Sequence, residues 1–102
     1  MIKVIYDIDD DNNYTYLEVS GHAESDEYGK DLICAAVSSI MFGFMNGLDA
    51  LNEKVDIEQL TNEIRISSHT TSNKVQDYFE LVMMQLKTIE ESYGDFIKVE
   101  RK

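Results

Sequence analysis

One thiol and one imidazole carry the covalent chemistry open to this sequence: Cys34, its sole cysteine, and His22, shortly upstream. A thiol attacks a carbonyl as its thiolate, and a histidine within reach is the natural base to take its proton. Asp31 suits a helix N-cap, which places Leu32, Ile33 and Cys34 in the first turn of a predicted helix. There the helix dipole and the free N–H groups would favour the thiolate, and those N–H groups could hold an oxyanion opposite the attacking sulfur. His22 follows Gly21 at the end of a predicted strand and opens the loop that leads to this helix. A strand end beside a helix start could bring imidazole to thiol. The residues alone leave the plainer readings open. A free cysteine is most often a buried packing residue, and His22 could be an exposed loop side chain.

Other polar residues are weaker candidates. Asp31 could orient His22 as a third member of the site, but a carboxylate beside the thiol would raise the thiol pKa, so the capping role is favoured. Ser38 lies one helical turn after Cys34 and either lines the site or is a small packing residue. His69, set among serines and threonines, reads as surface. One cysteine and two histidines at 22, 34 and 69 match no zinc spacing, so no metal is expected. Asp9, Asp10 and Asp11 lack the glycine and terminal glutamate of a calcium loop. No glycine-rich nucleotide motif occurs.

The elements that would position Cys34 and His22 follow from periodicity. Ile2, Val4, Tyr6 and Ile8 alternate with polar residues as a strand does. A turn cluster at 9–13 joins it to a second strand over 14–20, a predicted hairpin. Residues 21–30 have no period and read as a loop. The first helix is predicted over about 31–52. Two short strands over 55–60 and 63–67 flank a Thr61-Asn62 turn. Asn73 could cap a second helix, with Gln76 completing a capping box. Val75, Tyr78, Phe79, Val82, Met83, Leu86, Ile89 and Tyr93 then form one apolar face, and Gly94 suits the helix end. A last strand covers about 96–100. The order β-β-α-β-β-α-β implies one α+β domain over residues 1–102, with two helices on a mostly antiparallel sheet. The first helix is apolar over several faces, from Ile33 and Val37 to Leu48 and Leu51. It therefore needs a second cover, either the other helix or a dimer partner. Gly43 and Gly47 would let that cover come close.

Composition narrows the function. With 102 residues and 43% hydrophobic content, the chain can bury a core without metals or disulfides. A single cysteine fits a reducing compartment. The run from Ile33 to Met45 reads as too short and too polar to span a bilayer. Acids near the start, at Asp7 and Asp9 to Asp11, do not suit a signal peptide. The expected location is the cytoplasm, with no membrane contact. The net charge of −11 disfavours nucleic acid as a direct partner and suits a basic protein. Acidity could equally serve only solubility.

The segment GHA at 21–23, followed by YGKDLICAAVS at 28–38, resembles the signature of the Prp family of small bacterial cysteine proteases that process a ribosomal protein. LKTIEESY at 86–93 is similar to that family's second helix. The resemblance implies a catalytic dyad of Cys34 and His22, supported by Gly21, Asp31 and Ser38. It implies a dimer, and a substrate loop near Ala23 to Lys30 in which Ala23, Tyr28 and Gly29 meet the peptide. The implied substrate is the precursor of the large-subunit ribosomal protein L-twenty-seven, whose N-terminal extension is removed during ribosome assembly. No cofactor is implied. The expected dimer contact on the first helix draws on Ile40, Met41, Phe44, Met45 or Leu48. The rival reading is a non-catalytic acidic module that binds a basic ribosomal protein or assembly factor. A thiol redox or acyl-transfer role ranks lower, since no resolving cysteine exists.

Overall fold

In a computed structural model, which describes residues 1–21 and 30–102 (the side chains of 30 and 31 excepted), the first hairpin forms as the alternation predicts. Strand β1 (Ile2–Ile8) pairs antiparallel with β2 (Tyr14–Ser20). Asp9 closes the turn: its carboxylate accepts the Asp11 and Asn13 N–H groups at 2.9 Å each, and Asn12 takes a φ of 63°. The acids of this loop are thus in part turn chemistry.

Helix α1 (Lys30–Leu51) follows, then β3 (Val55–Leu60), β4 (Glu63–Ser68), α2 (Asn73–Tyr93) and β5 (Ile97–Arg101). The sheet order is β3-β4-β2-β1-β5. All neighbours are antiparallel except β1 and β5. Since β3 and β2 each run against β4, they run in the same direction, and α1 is the crossover between them. The start of α1 therefore lies at the sheet end where β2 and β3 finish.

One face of the sheet is covered. Ile2, Val4, Leu17, Val19, Ile64, Ile66 and Ile97 are buried and form one core with both helices. From α1 come Ile33, Cys34, Val37, Met41, Phe44, Met45 and Leu48, at steps of one, three and four. From α2 come Val75, Phe79, Val82, Met83 and Leu86. Phe79 meets Phe44 edge-on at 4.9 Å and stacks on Tyr14 at 5.6 Å, joining both helices to the hairpin.

Several expectations are corrected. Helix α1 begins at Lys30, so Asp31 lies inside its first turn and is not the N-cap. The N-cap of α2 is Ser72, without a side-chain capping bond. Gln76 builds no capping box: its side chain instead accepts the Tyr14 N–H at 2.6 Å and donates to the Tyr14 carbonyl at 3.0 Å, tying α2 to β2. Gly94 ends α2 in right-handed geometry, φ −59°. Tyr78 and Tyr93 are exposed, narrowing the buried face of α2. Leu32–Leu51 is, by length and composition alone, long and apolar enough to cross a membrane; here its inner face is part of the core. The second cover of α1 is α2, against which Gly47 admits the Tyr78 ring, whereas Gly43 faces open space. Met41, Phe44, Met45 and Leu48 are core residues and offer little to a partner.

The two faces of α1 should respond differently to truncation. Met41 is fully buried, and Met41→Ala should cost about 2–5 kcal/mol. Phe42 is 42% exposed, and Phe42→Ala should change stability by no more than about 0.5 kcal/mol. Urea midpoints compare them; similar losses would contradict this assignment of faces.

Candidate active site

Strand β2 ends where its pairing with β1 and β4 ends, in the rows that join Ser20 to Lys3 and to Glu63. The next residue, Gly21, is buried and turns left-handed, with φ 82°. Its N–H donates to the Asn62 carbonyl at 3.1 Å, which anchors it to the β3–β4 turn. On the other side the Met1 carbonyl approaches so closely that a Cβ on residue 21 would sit 2.6 Å from it. That carbonyl has little room to retreat, because the Ile2 N–H of the same peptide donates to the Phe96 carbonyl at 2.8 Å. Glycine is required here by both conformation and space.

The Gly21 carbonyl faces helix α1. The Cys34 thiol donates to it across 4.0 Å, a long, weak contact of the kind sulfur makes. Cys34 is the fifth residue of α1 and only 3% exposed, packed with Ile33 and Val37 in the core. The expectation that it belongs to the first turn shifts by one residue. Helical N–H groups pair four residues back, so the free donors of α1 belong to residues 30–33, just before the N–H of Cys34 itself. Helical side chains lean toward the N-terminus, which inclines the thiol toward that end of the helix.

Gly21 and Cys34 are thus brought together, and Ser38 follows one turn later on the same side, half-buried. Asp31 has its backbone in the first turn. His22, Ala23, Tyr28 and Gly29 lie outside the described residues. His69 is on the surface, with Nε2 2.8 Å from an Asp56 carboxylate oxygen. Among the described residues no His, Cys, Asp and Glu cluster could hold a metal ion.

Two contributors escaped sequence reasoning, the main-chain carbonyls of Met1 and Asn62. Neither is encoded by its own side chain. The only signal is a glycine placed just before the histidine.

Comparison with known proteins shows the family. The family model for cysteine protease Prp matches residues 1–98. A ribosomal processing cysteine protease Prp from Staphylococcus aureus is 34% identical over 106 residues, covering 100% of each chain. A protein of that name from Mycoplasma pneumoniae is 33% identical over 84 residues, covering 82% of this chain and 84% of its own. Among solved structures, the S. aureus ribosomal processing protease Prp in complex with a substrate peptide matches at a TM-score of 0.92 and 31% identity, covering 100% of both chains. The same protease with a covalently linked product peptide matches at 0.88 and 32%, again over 100% of both.

Substituting Gly21 tests the turn. Gly21→Ala adds a Cβ against the Met1 carbonyl in left-handed backbone and should cost about 2 kcal/mol or more. Gly43→Ala is the control, a helical position with nothing within 4 Å, and should stabilise by about 0.5–1 kcal/mol. Denaturant titration reads both; a Gly21→Ala protein as stable as the wild type would refute the close approach.

Proposed function

The chain belongs to the cysteine protease Prp family, and from that premise we propose that it removes the N-terminal extension of the large-subunit ribosomal protein L-twenty-seven, with Cys34 as nucleophile and His22 as base. The observation that carries the site assignment is the contact between the Cys34 thiol and the Gly21 carbonyl. It sets the residue bonded to His22 against the nucleophile. The S. aureus Prp structures, one with a substrate peptide and one with a covalently linked product peptide, support a peptide-cleaving reaction through a covalent intermediate.

In the proposed reaction the thiol proton passes to the His22 imidazole and Cys34 Sγ bonds to the scissile carbonyl carbon. The carbonyl oxygen becomes an oxyanion, which donors at the start of α1 are positioned to stabilise. As the C–N bond breaks, imidazolium returns its proton to the leaving amine, the new N-terminus of the mature ribosomal protein. A water then gives its proton to His22 and attacks the thioester; Cys34 leaves as a thiol and the extension departs with a free carboxylate. Gly21 and Ser38 support this geometry. Asp31, inside the helix, orients His22 or tunes the helix start, and Ala23, Tyr28 and Gly29 meet the peptide. No step asks for a cofactor.

The acidic chain, net −11, suits a basic ribosomal protein and disfavours direct nucleic-acid contact. That substrate places the enzyme in the cytoplasm, away from the membrane. The chain acts as a homodimer through the outer side of the helix pair. There a groove of about 450 Å³ lies between α1 and α2, with Ile40 and Gly43 on one wall and Tyr78 and Leu81 on the other. Leu81 and Met84 beside it are 57% and 65% exposed, an apolar surface suited to association.

Cys34→Ala and His22→Ala should each slow processing of the precursor by about a thousandfold or more. Mass spectrometry of the precursor after incubation detects the shortened product; cleavage by Cys34→Ala at the wild-type rate would refute the nucleophile. For assembly, Leu81→Glu should give monomers where the wild type sediments as a dimer, because it sets a charge in the apolar contact. A wild type that sediments as a monomer at micromolar concentration would refute the dimer.

A further inference from the structure

The two edges of the sheet are built differently. At the β5 edge the Val99 N–H, turned away from β1, donates to the Glu90 carboxylate of α2 at 2.7 Å, so that edge is partly closed. At the other edge, among the described residues, β3 pairs with β4 alone, and five of its six residues are exposed. It carries neither proline nor lysine, the usual guards of an open edge. Exposed edge strands accept an added strand through their free main-chain groups.

Charge selects the occupant. Asp56 and Glu58 project from the outer face of β3, away from the core-facing Ile57 and Gln59, whose partners Ile66 and Ile64 are buried. Asp56 meets the His69 ring at 2.8 Å, and among the described residues Glu58 shares the cation Arg65 with Glu63 and Glu18. On the helix side a hollow of about 170 Å³ lies between β3 and the end of α1, with Leu48, Val55 and Ile57 as its apolar part and Asp49 and Glu53 as its acidic part. The last turn of α1 has no basic residue, so the negative end of the helix dipole adds to that field. Pairing β3 with its copy in another molecule would set Asp56 and Glu58 against the same acids, which is unfavourable. A basic strand meets the opposite situation. Its side chains alternate between faces, and a Lys or Arg entering the hollow rests its aliphatic stem on Val55 and Ile57 and its charge beside Asp49 and Glu53.

The edge also leads to the nucleophile. β3 runs toward the Thr61-Asn62 turn, and the Asn62 carbonyl holds Gly21, whose own carbonyl faces the Cys34 thiol. From the hollow at Val55 to Leu60 is about 17 Å, the length of five strand residues.

We propose that the β3 edge is a substrate exosite, which takes a basic segment of the precursor as an added strand and seats one of its Lys or Arg side chains in the hollow beside Asp49 and Glu53. It rests on the reading of the chain as a protease of a basic ribosomal protein precursor, and adds where specificity remote from the cut bond resides.

The test is the double variant Asp49→Lys with Glu53→Lys. Both positions are exposed, and cations suit a helix C-terminus, so thermal melting should not fall. With the L-twenty-seven precursor as substrate, kcat/KM should drop about tenfold through KM, the scale of two exposed ion pairs lost. With a short peptide that spans only the cleavage motif, kcat/KM should stay at the wild-type value. In the inert Cys34→Ala protein, saturating precursor should slow amide exchange over residues 55–60. Unchanged precursor kinetics, an equal loss on the short peptide, or unprotected β3 amides would each overturn the exosite while wild-type cleavage stands. A wild type that leaves the precursor intact would overturn the proposed substrate and the exosite with it.

Discussion

The Cys34 end of this fold depends on how tightly two main chains can approach each other. Gly21 fits between the Met1 carbonyl and the Asn62 carbonyl because it has no Cβ and can hold a φ of 82°. Any other residue would push β2 away from the start of β1, which is a central strand pinned by β2 on one side and β5 on the other. The result is a carbonyl aimed at Cys34 and a chain that leaves toward His22 at that same point. The relation between the Cys34 thiol and the Gly21 carbonyl is therefore set by backbone geometry, which is less yielding than side-chain packing.

Helix α1 has to serve this site while also closing the core. Its inner stripe, from Ile33 to Leu48, contributes seven of the buried side chains, Cys34 among them. A thiol in that stripe cannot drift, because its neighbours Ile33 and Val37 are fixed by the sheet. The same burial would leave an ordinary cysteine inert. Cys34 differs from the rest of the stripe in its place near the helix start, beside a strand end that carries a turn and not more pairing. The crossover topology produces that juxtaposition: β2 must end where α1 begins, and β3, running the same way as β2, ends beside them both.

Much of this was legible in the sequence, and the failures have physical causes. The strands were readable because one face is buried, so Ile2 and Val4, or Ile64 and Ile66, impose a period of two. β3 was readable as well, with the same bounds of 55–60, because Val55 and Ile57 alternate with Asp56 and Glu58. Gln76 was misread because the sequence shows a capping pattern but not the Tyr14 backbone that competes for the same amide. The apolar width of α1 was real, yet it did not reveal which residues face the core. Met45 and Leu48 turned inward, while Phe42 stayed outside. Cys34 and Gly21 could be singled out through their motif, though not their contact, and the Asn62 and Met1 carbonyls could not, because main-chain atoms carry no residue identity.

The distribution of charge completes the picture of a surface that discriminates. The core side of the sheet is sealed by the helices, so polar residues of the strands gather on the opposite face, where Arg65 is the hub of Glu18, Glu58 and Glu63. Among the described residues, one guanidinium pairs with these three carboxylates. An open, uncharged edge strand would invite pairing between copies of the chain. Acids at Asp56 and Glu58 oppose such self-pairing by like-charge repulsion, and leave the main-chain groups of β3 available to a chain of opposite sign. Acidity at this edge thus disfavours self-pairing and favours a basic strand at once, because the two cases differ only in the sign of the incoming strand.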